Sequence, residues 1–245
     1  MRMKMTETTQ SVRPTDISVL DHGHVQLIDW MGSDLSIVNA ARVSFNKESS
    51  WDYADSHVPI QMLPEKDAKL IKYLAKHNHF TPFCHATISV RVKCPIFVRA
   101  QLGKHQIGLT MNEVSRRYVT FEPEIYIPLW RSAPTNGAKQ GSSGRIEDMD
   151  LCIRMRQEYE SVANECLKLY NDLLADGVAP EQARSILPQG TYTEFVWTGS
   201  LYAFARIYNL RIDAHAQWEI QEYAKAIDKI IAPLFPVSWQ TLTTK

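Results

Sequence analysis

Thr87-Ile-Ser-Val-Arg-Val-Lys-Cys94, then Pro95, then Ile96-Phe-Val-Arg-Ala-Gln-Leu-Gly103, running into Lys104-His-Gln-Ile-Gly-Leu-Thr-Met-Asn-Glu-Val-Ser-Arg-Arg-Tyr118, is a strand, a helix and a polar loop in one stretch. Ile88, Val90, Val92 and Cys94 alternate with Thr87, Ser89, Arg91 and Lys93, which predicts a half-buried strand with Cys94 pointing inward. Pro95 ends that strand and suits the first turn of a helix, which delivers Lys104 and His105 at its far end. The loop beyond is dense in groups that are costly to bury unpaired, yet Ile107, Leu109, Met111 and Val114 are interleaved with them, the mark of a binding surface. If extended, it places Glu113, Ser115 and Arg117 on one face as acceptor, hydroxyl and guanidinium. Arg117 beside the Ser115 hydroxyl suits a phosphate. We read Ser115 as a neutral donor rather than a nucleophile, because no Ser-His-Asp pattern accompanies it.

At 245 residues the chain can bury a substantial core, and we read a flexible tail over 1–16 followed by one domain over 17–245. The formal net charge is zero, so bulk attraction to nucleic acid is not indicated and the basic groups act locally. Cys84, Cys94, Cys152 and Cys166 are widely spaced without a Cys-x-x-Cys pair, which fits reduced thiols in a cytoplasm better than a zinc knuckle or a disulfide scaffold. No apolar run has the length of a signal peptide or a bilayer span, so no membrane partner is expected.

Outward from the opening stretch, Val25 to Asp29 reads as the first strand, and Ser33 or Asp34 as the cap of a helix through Ile37, Val38, Ala40 and Ala41. Residues 47–63 read as a loop. Pro64 opens a helix with an apolar stripe of Ala68, Leu70, Ile71 and Leu74 and a wet face of Lys66, Lys69, Lys72 and Lys76. Tyr118 to Phe121 and Ile125 to Ile127 look strand-like, broken by Pro123 and Pro128, and 131–145 is a Gly- and Ser-rich loop without a phosphate-loop pattern. A long helix is expected from Glu147 to Asp176, stopped by Gly177, with Met155, Tyr159, Val162, Cys166, Leu169 and Leu173 as a packing stripe. Pro180 opens a short helix, 192–198 is strand or turn, and Ser200 caps the next helix. Asp213 is expected to cap a helix begun by His215, setting that helix's amino terminus beside Arg211.

Asn112-Glu113-Val114-Ser115-Arg116-Arg117-Tyr118 resembles the Asn-Glu-x-Ser-x-Arg-Tyr close of the flavin-dependent thymidylate synthase signature. The form is divergent and phage-like: Lys104 and Gln106 stand where the signature has arginines, and eight residues rather than seven separate Gln106 from Ser115. His77-Asn-His-Phe-Thr-Pro-Phe-Cys-His85 is similar to the family's His-x-His-x-Thr-Pro-Phe-x-His. Ala183-Arg-Ser-Ile-Leu-Pro188 resembles its Ala-Arg-x-x-Leu-Pro, and Leu210-Arg-Ile-Asp-Ala-His-Ala-Gln-Trp-Glu-Ile220 its Leu-Arg-x-Asp-x-His-Ala-Gln-x-Glu-Ile. The resemblance runs over roughly residues 17–232. It implies a single α+β domain with a mixed, largely antiparallel sheet and long packing helices, assembled as a homotetramer with sites at subunit interfaces.

The reaction this implies is reductive methylation of dUMP to dTMP, with 5,10-methylenetetrahydrofolate as one-carbon donor and NADPH-reduced FAD as hydride carrier. Carried over residue by residue, the resemblance implies flavin contacts from His79, Thr81, Lys104, His105, Gln106, Asn112, Glu113, Arg206, Leu210 and His215. It implies nucleotide contacts from Gln101, Lys104, Glu113, Val114, Ser115, Arg116, Arg117, Arg184 and Arg211. Among these Arg184, Ser115 and Arg117 would hold the phosphate, and Arg211, the catalytic residue, would stabilise charge on the pyrimidine. Ser200, Tyr202 and Arg206 depart from the Asn, Arg and Asn of many relatives, and Arg206 is a cation where Gln106 lacks one. No metal, nucleic acid or cysteine nucleophile is implied. Two other readings of the residues stay open: a metal hydrolase using His77, His79, His85, Asp213 and His215, and a non-catalytic nucleotide- or RNA-binding module using the arginines and aromatics.

Overall fold

The computed structural model describes residues 15–53, 61–134 and 141–244. Its strands are β1 Asp16–Val19, β2 Gly23–Met31, β3 Asp52–Tyr53, β4 Gln61–Met62, β5 Thr87–Pro95, β6 Leu109–Glu113 and β7 Tyr192–Ser200. Five of them form one sheet in the order β1-β2-β5-β7-β6, each neighbouring pair antiparallel. β5 is central, and its expected alternation is observed: Ile88, Val90, Val92 and Cys94 are fully buried. On the opposite face Ser89 and Thr198 share a hydrogen bond of 2.8 Å, and Arg91 pairs with Glu194 at 2.6 Å, so that face is polar where the other is dry. Gly23 lets β1 and β2 turn tightly, because a Cβ there would sit 2.7 Å from the Val19 carbonyl and 2.8 Å from that of Lys93.

The helices are α1 Asp34–Arg42, α2 Glu65–Lys76, α3 Ile96–Leu102, α4 Met149–Ala175, α5 Pro180–Ala183, α6 Leu201–Arg211, α7 Trp218–Ile231 and α8 Pro236–Thr243. Local signals account for most of their ends. Ser33 caps α1 in a reciprocal pair with Ser36, Asp148 caps α4 through Leu151 N–H, Ser200 caps α6 through Ala203 N–H, and Gly177 leaves α4 at φ +83°. α6 and α7 cover the dry face of the sheet. Trp197, Phe204, Tyr223, Ile227 and Trp239 lie in one core with Val90 and Val92.

Several expectations are corrected. The tail read over 1–16 falls, through residue 14, outside the described residues, and Asp16 already belongs to β1, pairing with Gln26. The loop of 47–63 includes the β3–β4 pair. Neither Tyr118 to Phe121 nor Ile125 to Ile127 is a strand; Ile125 makes only a single bridge to Thr191, because Pro123 and Pro128 remove ladder donors. α7 begins at Trp218 rather than His215, since the Asp213 carboxylate accepts from His215 N–H at 2.8 Å and closes a turn instead. The segment after Pro233 carries α8, which went unread. It is held by Asp34, whose buried carboxylate accepts Val237 N–H and Ser238 N–H, both at 2.9 Å.

Candidate active site

α3 and α6 meet at their carboxyl ends, and there the chain builds its most polar constellation. Arg211 is the last residue of α6. Its Nε–H donates to His105 Nε2 at 2.9 Å and its Nη2 donates to the Gln101 carbonyl at 3.2 Å. The arginine suits the negative end of α6, and the amino terminus of the next helix opens at Gln217, which lines the same cleft, rather than at His215. Gln101 donates its side-chain amide to Gln217 Oε1 at 2.6 Å. Burial, Arg211 and Arg206 together push the His105 imidazole down to about 4, so it is neutral near pH 7 and free to accept. Gln101, Leu210, Arg211, His215 and Gln217 line a cleft of about 570 Å³. His215 Nδ1 lies 3.0 Å from Asp213 Oδ1.

On the other side of α6 a second cleft, of about 430 Å³, lies between α2, α6 and α8. His79 and Arg206, for which the resemblance implies flavin contacts, line it, with Thr81 opening the short 3-10 turn next to His79. Lys72 and Lys76, exposed on α2 as expected, line it too. Phe80 stacks on Tyr202 with ring centroids 5.3 Å apart at 28°. Among the described residues no Asp or Glu lines this cleft, which suits a group that is both aromatic and anionic. Asn209 lines both clefts and joins them across α6.

Several other candidates gather near the end of β6. Glu113, Val114, Arg116 and Arg184 line a third, smaller cleft of about 120 Å³. The shared face expected for Glu113, Ser115 and Arg117 does not form. The chain leaves the sheet after Val114, and Ser115 Oγ accepts Arg117 N–H at 3.3 Å in a turn, so extended alternation is lost. Glu113 is held by Arg99 at 2.6 Å and by Thr193 at 2.9 Å. Arg116 donates to the Phe121 carbonyl at 2.9 Å and lies over its ring, while Arg117 donates to Glu181 at 2.9 Å. Lys104, Gln106 and Asn112 are exposed. The nucleotide and flavin candidates that line a cleft in one chain are thus distributed over three clefts rather than one.

Sequence reading missed Gln217 as the orienting partner of Gln101, although it lies within the quoted Leu210 to Ile220 element. Tyr202, Lys72 and Lys76, which line the second cleft, are not among the flavin contacts that the resemblance implies. The metal-hydrolase candidates do not converge: among the described residues no group of three or more His, Cys, Asp or Glu is placed to hold a metal ion. All four cysteines are free, and burial raises the Cys94 thiol well above its ordinary range. No helix among the described residues is long and apolar enough to cross a membrane.

Comparison with known proteins places this geometry. The family described as thymidylate synthase complementing protein matches residues 26–237. The chain is 39% identical over 225 residues to the flavin-dependent thymidylate synthase of Thermosipho africanus, covering 92% of each chain. It is 40% identical over 225 residues to that of Thermotoga neapolitana, covering 91% of this chain and 92% of the relative. Among solved structures it superposes on a UMP/dUMP methylase, PolB from Streptomyces cacaoi bound with 5-Br dUMP, with a TM-score of 0.74 and 28% identity, covering 93% of this chain and 97% of that one.

Proposed function

This chain belongs to the flavin-dependent thymidylate synthase family and methylates dUMP to dTMP, and from that premise we propose that 5,10-methylenetetrahydrofolate supplies the one-carbon unit and FAD, reduced by NADPH, the hydride. The observation that carries the reading is the held guanidinium of Arg211 at the wall of the 570 Å³ cleft, with the Gln101 amide beside it. A pyrimidine becomes nucleophilic at its ring carbon by taking on enolate character, with negative charge on its oxygens before that carbon attacks an electrophile, and a pre-oriented guanidinium stabilises that charge without reorganising. The cation-lined cleft with its Phe80–Tyr202 wall fits the aromatic and phosphate parts of FAD, with Lys72, Lys76, His79 and Arg206 as the groups that would hold it.

Arg184, Arg117 and Ser115 are the proposed phosphate ligands. Arg117 must first give up Glu181, an exchange of one anion for another at the same fork. A homotetramer with shared sites is supported by the distribution of candidates over three clefts and by α4. That helix spans 27 residues, about 40 Å at 1.5 Å per residue, yet buries only Ala163 and Tyr170, leaving Val162 and Leu169 exposed. A cytoplasmic location accords with four free thiols. The test is an absorption spectrum of the purified protein followed by anaerobic addition of NADPH, then of dUMP and the folate. Flavin bands that bleach with NADPH, and dTMP that forms only with the folate present, are expected. Absence of flavin bands together with absence of dTMP would refute the cofactor assignment.

A further inference from the structure

We propose that His105 is a positioning residue for Arg211: its imidazole accepts the arginine's Nε–H and turns the guanidinium so that its outer edge faces the 570 Å³ cleft. The resemblance implied only a flavin contact for His105. His105 sits in the turn that ends α3, where its own N–H donates to the Leu102 carbonyl at 3.0 Å, so the ring is carried on rigid backbone beneath the end of α6. The arginine is held at two points on one side, Nε by His105 at 2.9 Å and Nη2 by the Gln101 carbonyl at 3.2 Å. A guanidinium has five N–H groups in a fixed plane, so two held on the protein side leave about three directed outward.

The contact requires a bare Nε2, which puts the ring proton of His105 on Nδ1. An imidazolium would lose the acceptor and would also meet two cations from α6, Arg211 and Arg206, the charged groups that act on this ring. Burial and these two cations hold the ring neutral, so the acceptor is present at physiological pH. A lysine at 211 cannot reproduce the arrangement, because it has no Nε–H and no plane to fix. The inference rests on the methylation reading for what Arg211 does, but the tautomer and the contact can be tested without it.

The experiment compares the wild type with His105→Phe, His105→Gln, Arg211→Lys and the double variant His105→Phe/Arg211→Lys. Phenylalanine fills the space without an acceptor, whereas the glutamine amide oxygen reaches the place of Nε2. Imidazole nitrogen NMR of the wild type, without ligands, should show a neutral ring protonated on Nδ1. In single turnovers of pre-reduced enzyme at saturating dUMP and folate, His105→Phe should slow dTMP formation about tenfold or more, the scale of one lost charge-assisted hydrogen bond. His105→Gln should recover most of that rate. His105 does not line the cleft of Lys72, His79 and Arg206 assigned to the flavin, so bound flavin and its reduction by NADPH should change little in either variant. The double variant should be no slower than Arg211→Lys beyond about threefold, since both changes remove one coupled element.

Losses that multiply in the double variant, a proton on Nε2, or a flavin deficit that glutamine leaves unrepaired would each overturn the proposal. If His105→Phe does not fold, the tautomer and a glutamine variant slowed as much as Arg211→Lys still decide against it, and a glutamine variant near wild type decides for it. A wild type that makes no dTMP removes the methylation reading instead, and the tautomer then reports on the contact alone.

Discussion

At the scale of single residues the site depends on which partner each charged group already has. Arg211 is committed on one side and open on the other, so Arg211→Lys should slow the methylation step by roughly ten- to a hundredfold, the loss of a bond of about 1.5–3 kcal/mol that tightens in the transition state. Reduction of the flavin by NADPH should hardly change; comparing the two half-reactions at saturating dUMP checks this, and equal slowing of both would point to a displaced flavin. Arg117 is already occupied by Glu181, a half-exposed pair worth at most about 1 kcal/mol. Glu181→Gln should therefore tighten dUMP binding by up to about fivefold in calorimetry, and weaker binding would show that Glu181 serves the nucleotide directly. The cysteines divide by burial: Cys84 is exposed, while the Cys94 thiol is buried and its pKa raised. A thiol reagent should label Cys84 in the native protein and spare Cys94, and Cys→Ala at any of the four positions should leave turnover measurable.

At the scale of elements, α8 is joined to α1 through one carboxylate. Asp34 is 2% exposed and accepts two backbone N–H groups at the start of α8. Asp34→Ala leaves both donors buried and unpaired, at a cost of about 2–4 kcal/mol, read as a lower urea midpoint with an unchanged slope. Asp34→Asn keeps one acceptor and should fall between. Because α8 also forms a wall of the 430 Å³ cleft, the same change should weaken flavin retention before it unfolds the protein. A variant that loses stability while keeping flavin at full occupancy would separate α8 from that cleft.

At the scale of the whole molecule, the exposed face of α4 and the scattered candidates are what the proposed homotetramer would account for. Val162 and Leu169 are 60% and 45% exposed, a poor arrangement for a lone domain and a suitable one for an interface. Val162→Glu should shift the sedimenting species from a tetramer to smaller forms and lower activity in step with dissociation. Full activity in a monomer would mean that each chain completes its own site.

The sequence by itself determined the features that depend on near neighbours. Alternation in β5, the caps Ser33 and Ser200, and the Gly177 stop are interactions within a turn or a pleat, and the chain spells them out wherever it runs. The motifs around Ser115, Arg184 and Arg211 were legible for the same reason, as residue types at fixed spacing. Tertiary structure alone decided that Arg211 meets His105, 106 residues away, and that Asp34 meets Ser238, 204 residues away. It also decided that Ser115 turns inward on Arg117 instead of sharing a face with it, because a hydroxyl that can bond a nearby backbone N–H competes with the ladder where β6 ends. Contacts of this range are set by the path of the folded chain, and no local pattern encodes them.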